Sequence, residues 1–146
     1  MAWIDKAVQR LGPASTLAVN VSRKPFFLYP GGVPSERQPS KWGERVSLLY
    51  SPSTWQHIKQ LGAQAGYSFN FDSELSDTMD SHRLVLFAET QGKQKELVQE
   101  LSRRYFEDGV PLADRANLLD VAAKYDVHGA AEYLDSGAGR QEVCRG

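Results

Sequence analysis

Apolar residues recur three or four positions apart along most of this chain and alternate over only one stretch. Trp3, Ile4, Ala7, Val8 and Leu11 predict a helix over residues 2–11, stopped by Gly12 and Pro13. Residues 16–21 then alternate. Leu17, Val19 and Val21 point one way and Ala18 and Asn20 the other, which is strand spacing. Pro25 interrupts before "FFLY" resumes, so residues 16–29 read as one long or two broken strands at an edge or a bulge. "YPGGVPSERQPSKWG" has loop chemistry, and a short helix is expected over 44–50. "SPSTWQHIKQLGAQAG" predicts a helix capped by Ser51, with Pro52 in its first turn and Gly66 at its end. Its apolar stripe is Trp55, Ile58, Leu61 and Ala65. After the extended link "YSFNF", helices are expected over 78–90 and 94–107, through "ADRANLLDVAAKYDV", and over "HGAAEYLD". Leu97, Val98, Leu101, Tyr105 and Phe106 face inward on the second of these, and Leu118, Leu119, Val121 and Ala122 on the third. "SGAGRQEVCRG" reads as a frayed tail.

The expected fold is therefore mainly α with a small β element, as one domain over residues 1–146. A helix, the strand region and a loop fill 1–40, a helical bundle 41–135, and a flexible tail 136–146. One strand region among five to seven helices leaves a ladder of N–H and C=O groups to be satisfied. A second copy can supply the antiparallel partner about a two-fold axis. A homodimer joined through residues 16–29 is expected, and it leaves open a site made from both chains, with Arg23 or Lys24 of one chain reaching the His82 helix of the other.

Charge and composition narrow the function. The 146 residues carry 17 Lys and Arg against 18 Asp and Glu, a net charge of −1, so nothing marks a nucleic-acid or anionic-membrane surface. No apolar run approaches the roughly 18 residues of a membrane helix. The first residues lack the basic start and continuous apolar core of a signal peptide, which makes a cytoplasmic location the expectation. Cys144 is the single cysteine, so neither an internal disulfide nor a CxxC pair can form. HxH, HExxH, P-loop, GxGxxG and GxSxG spacings are absent as well, and no metal or cofactor is expected.

Titratable groups concentrate in "SDTMDSHRLVLFAETQGKQ". Asp77, Asp80, His82 and Arg83 fall within two turns at the start of a helix whose apolar run follows at once. Asp77 or Thr78 can be a plain N-cap, and Asp80 can complement the helix dipole. His82 is either a half-buried histidine or a general acid or base, because imidazole titrates near neutrality. Arg83 either pairs with Asp80 or Glu107, or binds an anionic or enolate oxygen. Arg23 and Lys24 are a solvated charge pair or an anion-binding rim. Trp3, Trp42 and Trp55 read as core.

From "YSFNF" to "AAKYDV" the chain resembles the helical insertion of the DsbA-like, FrnE-like branch of the thioredoxin superfamily. The matching features are an "FNF" link at 69–71, "DTMDSHR" at 77–83 for a helix start usually reading N-T-x-D-A-H-R, "GKQ" at 92–94, "YFEDG" at 105–109 and "DRANLLDVA" at 114–122. "NVSRKPFFLYPGGVP" is similar to that family's second strand and the loop after it. The family's CxxC and its closing cis-proline half have no counterpart here. The resemblance implies a truncated, redox-silent relative, and the thiolate that thiol–disulfide exchange requires is not supplied. The group's name comes from polyketide biosynthesis, and its relatives include isomerases of small aromatic metabolites. The resemblance thus implies cofactor-free cyclisation, as in lactonisation, or isomerisation of a polyketide-type intermediate. Asp80 or His82 would be the base, Arg83 the oxyanion partner and Tyr105 a proton donor, with Arg23, Lys24 and Asp77 binding substrate. The alternatives are a catalytically silent binding or scaffold domain, and a thiol enzyme working through Cys144.

Redox silence is directly testable. Cys144→Ser should leave stability within about 0.5 kcal/mol of the parent and any activity unchanged; insulin reduction by the parent but not by the variant would revive the thiol reading.

Overall fold

The computed structural model describes residues 2–12, 19, 21–26 and 41–145, with the backbone alone for 2–6 and 46. Eight α-helices occur among them: α1 (Ala2–Leu11), α2 (Trp42–Leu49), α3 (Pro52–Gln64), α4 (Met79–Thr90), α5 (Gln94–Arg103), α6 (Arg115–Lys124), α7 (Ala130–Asp135) and α8 (Arg140–Arg145). A π-helical turn, Arg104–Asp108, continues α5. None of these helices is long and apolar enough to cross a membrane.

Local chemistry sets the ends. Ser51 Oγ accepts from the Thr54 N–H and Pro52 opens α3, as its sequence predicts. Asp114 caps α6 by accepting from the Asn117 N–H at 3.1 Å. The start of α2 is satisfied by distant backbone instead: Trp42 N–H donates to Ser73 O at 2.8 Å and Gly43 N–H to Phe71 O at 3.0 Å. A Cβ at Gly43 would lie 2.7 Å from that same carbonyl oxygen, so only glycine permits the approach.

The core lies where α4 crosses the helices after it. Leu84 and Ala88 of α4, Leu97 and Leu101 of α5, Leu118, Val121 and Ala122 of α6, Val127, and Ala130 and Leu134 of α7 form one buried cluster. The expected inward faces of α5 and α6 hold, with Val98, Phe106 and Leu119 half-buried at their margins. A second, aromatic cluster joins α2 and α3 to the rest. Trp42 stacks on Phe71 with centroids 5.3 Å apart and meets Trp55 and Phe106 edge-on.

Three expectations need correction. The 94–107 helix is α only to Arg103, then widens into the π turn. The turn's carbonyls find partners outside the helix, Tyr105 O accepting from Ser73 Oγ and Phe106 O from the Asn70 N–H. Gly109 ends it at φ +77, where an added Cβ would also press on the Asn70 amide. The 136–146 segment, expected as a flexible tail, forms α8 and buries Val143 to 1% exposure. Of the strand region, Val19 and 21–26 carry no strand, and the remainder of 16–29 lies outside the described residues. The backbone of Arg23 pairs with a side chain: its N–H donates to Gln94 Oε1 at 2.8 Å and its C=O accepts from Gln94 Nε2 at 2.9 Å.

One ionic network ties α5 to α6. The buried Glu100 carboxylate accepts from Arg103, Arg104 and Lys124 at 3.0–3.2 Å, and Arg104 continues to Asn117 and Asp120. Burial alone would raise the Glu100 carboxyl, but hydrogen bonds from Arg103, Lys124 and Arg104 outweigh it and hold the group at about 2. Its ordinary value is 4.5, so the unfolded chain binds the extra proton in between. The stabilisation is therefore full above pH 4.5 and lost as pH falls toward 2. Glu100→Gln should cost about 2 kcal/mol at pH 7 and flatten the acid limb of a urea-denaturation pH series over that window.

Candidate functional site

The helix start that concentrates titratable groups is divided by its own geometry. Successive α-helical residues turn by about 100°, so His82 and Arg83 leave α4 on different sides. Asp80 and Arg83, three apart, share a face.

Arg83 goes to the interior. Its guanidinium is fully buried and donates to Ala138 O at 2.6 Å, Leu134 O at 3.1 Å, Tyr133 O at 2.9 Å and Asp80 Oδ1 at 2.7 Å. Those carbonyls end α7 and lead into α8, so Arg83 satisfies acceptors that the helix leaves open. Asp80 serves this arginine and lies 3.9 Å from Arg140. Arg83 thus pairs with Asp80, the first of its two readings from the sequence, and neither residue is among those that line the cavity beside His82.

His82 goes to the opposite side. With Ser81 and Val85 it forms one wall of a cavity of about 200 Å³. Val98, Leu101 and Ser102 of α5, then Tyr105 and Phe106 of the π turn, form the second wall; Leu112 and the 23–25 segment complete it. The lining is largely apolar, with Ser81, His82, Ser102 and Tyr105 as its polar residues on α4, α5 and the π turn, and Arg23 and Lys24 on the 23–25 segment. Burial lowers the His82 pKa from 6.5, against the pull of the Asp77 carboxylate. The imidazole is thus neutral at pH 7 and able to take a proton. Burial raises the Tyr105 phenol, which stays protonated as a donor.

Of the seven residues the sequence proposes, the structure brings four to this cavity: His82, Tyr105, Arg23 and Lys24. All four belong to one chain, so the arrangement of one chain's Arg23 or Lys24 on the other's His82 helix is not needed to assemble them. Asp77 is exposed and accepts from the Met79 N–H at 2.9 Å, a helix-start turn from which its charge reaches His82. Ser81, Ser102 and Phe106 also line the cavity, and the sequence reading does not single them out as site residues. Spacing carries the signal for Ser102, which shares the α5 face of Val98, Leu101 and Tyr105.

The family model described as DSBA-like thioredoxin domain matches residues 3–145. The chain belongs to this family. No curated protein matches the sequence. The family assignment agrees with the resemblance read from the 69–122 motifs. In this DSBA-like chain, the lone cysteine sits exposed on α8, a helix that docks through Val143.

Arg83→Met should cost at least about 3 kcal/mol in denaturant unfolding, the scale for breaking a buried pair. Arg83→Lys should recover little, since one ammonium cannot span the carbonyls of Tyr133, Leu134 and Ala138. A fully stable Arg83→Met would refute this structural role.

Proposed function

We propose that this DSBA-like chain is a cofactor-free acid–base catalyst acting on a small carbonyl compound, by isomerisation or by intramolecular cyclisation such as lactonisation. The observation that carries the reading is the cavity that sets a neutral imidazole and a protonated phenol among apolar walls. At about 200 Å³ it falls below the roughly 300–1,000 Å³ of pockets for drug-sized ligands, which suits one ring or two fused rings. A polyketide-type intermediate is the substrate class that the FrnE-like resemblance adds.

In the isomerisation, His82 removes a proton from the carbon next to the carbonyl. The electron pair moves onto the carbonyl oxygen, where the Tyr105 O–H stabilises the enolate by hydrogen bonding. The imidazolium returns the proton to a different carbon. In the cyclisation, His82 takes the proton of the substrate's own hydroxyl as its oxygen bonds to the carbonyl carbon, and gives it to the leaving group. Arg23 and Lys24 favour a substrate carrying negative charge at the mouth. A homodimer through residues 16–29 belongs to the same proposal and is supported by the exposure of Val19, Val21 and Phe26. A clean monomer in sedimentation at micromolar concentration would refute it.

Proton exchange at the α-carbon of a small β-keto ester, followed by NMR, tests the catalytic step. His82→Ala should slow it about a hundredfold, the usual scale for one acid–base group, with the circular dichroism unchanged. The neutral imidazole is the active form, so the parent's rate should rise with pH through a midpoint below 6.5 and then level off. A folded His82→Ala at parental rate would sink the reading. Asp80→Asn, by contrast, should lower stability through Arg83 and leave the midpoint of that pH profile in place.

A further inference from the structure

The cavity's third wall is not a helix. It is the 23–25 segment, with Pro25 buried and Arg23 and Lys24 at the mouth. Two side chains fasten it. Glu89, at the end of α4, accepts from Ser22 Oγ and lies 3.5 Å from Lys24 Nζ. Gln94, at the first turn of α5, bonds both backbone groups of Arg23 across 71 positions of sequence. Gln94 is 6% exposed, so water competes little for its amide. A primary amide presents a donor and an acceptor side by side, as a neighbouring strand does. Gln94 therefore does for Arg23 what a β partner would do.

We infer that Gln94 is a positioning residue for the cavity. By holding the Arg23 backbone it fixes the wall that places Arg23 and Lys24 opposite His82. The inference rests on the cavity being the substrate site, and it adds a residue that itself touches no substrate. The same amide also hydrogen-bonds the Glu89 carboxylate, and replacing it separates the two bonds to Arg23. A glutamate at 94 still accepts from the Arg23 N–H, but while ionised it sets a bare oxygen against the Arg23 carbonyl. Once protonated it regains one O–H donor for the Arg23 carbonyl, while the bond that the amide gives Glu89 stays lost. The charged groups around it are Glu89 of α4 and Arg23 and Lys24 of the segment, with Lys93 and Lys95 beside it in sequence.

Two measurements on the full chain decide the matter: hydrogen-exchange protection of the Arg23 amide, and the Kd for 2-naphthol read from the probe's fluorescence. Gln94→Leu should lose most of the Arg23 protection and bind 2-naphthol at least tenfold more weakly at every pH from 5 to 8. Gln94→Glu should behave like Gln94→Leu at pH 8 and recover both properties toward pH 5 when each is referred to the parent at the same pH, since His82 titrates in both. Rescue by protonation is what a merely space-filling role would not produce. Unchanged Arg23 protection in Gln94→Leu overturns the inference, as does lost protection with an unchanged Kd. If the parent binds no 2-naphthol while Arg23 protection still follows Gln94, the cavity is not the site. Gln94 is then a structural clamp only.

Discussion

A guanidinium sealed inside the helical unit holds α7 and the turn before α8 to α4. Moving Arg83 out of water costs several kcal/mol unless its donors are met, and three main-chain carbonyls together with Asp80 meet them. The same contact fixes α4 about its own axis. With Arg83 turned toward α7 and α8, His82 has one side left to face, and that side is the cavity. The chemistry proposed for His82 thus depends on a neighbour that never touches it. Tyr133 reinforces the arrangement, stacking on Phe87 at 4.2 Å and lying against Arg83.

The cavity combines walls of unequal rigidity. The α4 and α5 walls are built into the apolar core, and Glu100 locks α5 to α6 from the far side through Arg104 and Lys124. The wall of residues 23–25 hangs on Gln94 and Glu89. Under the proposed function, the acid–base groups thus stand on the walls tied into the core, and the charged residues on the wall held by side chains.

Much of the fold is legible in the spacing of apolar residues, because helices bury one stripe each. Leu97, Leu101, Leu118, Val121 and Ala122 fall inward as their period dictates, and Ser51 and Asp114 sit where a cap is required. His82 and Tyr105 are legible as candidates from their residue types. What the local pattern misplaces is set by distance. Nothing near Arg83 in sequence tells that the end of α7 needs its donors, so its charge reads as free for catalysis. Gln94 looks like an ordinary helix start, since its partner lies 71 positions away. The α8 segment is polar and glycine-rich, and Val143 alone anchors it in the buried set.

Phe106 belongs to two neighbourhoods at once. Its ring lines the cavity and meets Trp42 edge-on at 5.2 Å, and Trp42 in turn stacks on Phe71. The extra residue in the π turn lets consecutive side chains, Tyr105 and Phe106, both reach the cavity, while the second also reaches the indole. A molecule entering the cavity displaces solvent from one face of a ring whose other side rests on a chromophore. The indole of Trp42 therefore stands one aromatic ring away from the cavity, a built-in chromophore through which its filling can be read by dichroism or emission without a dye.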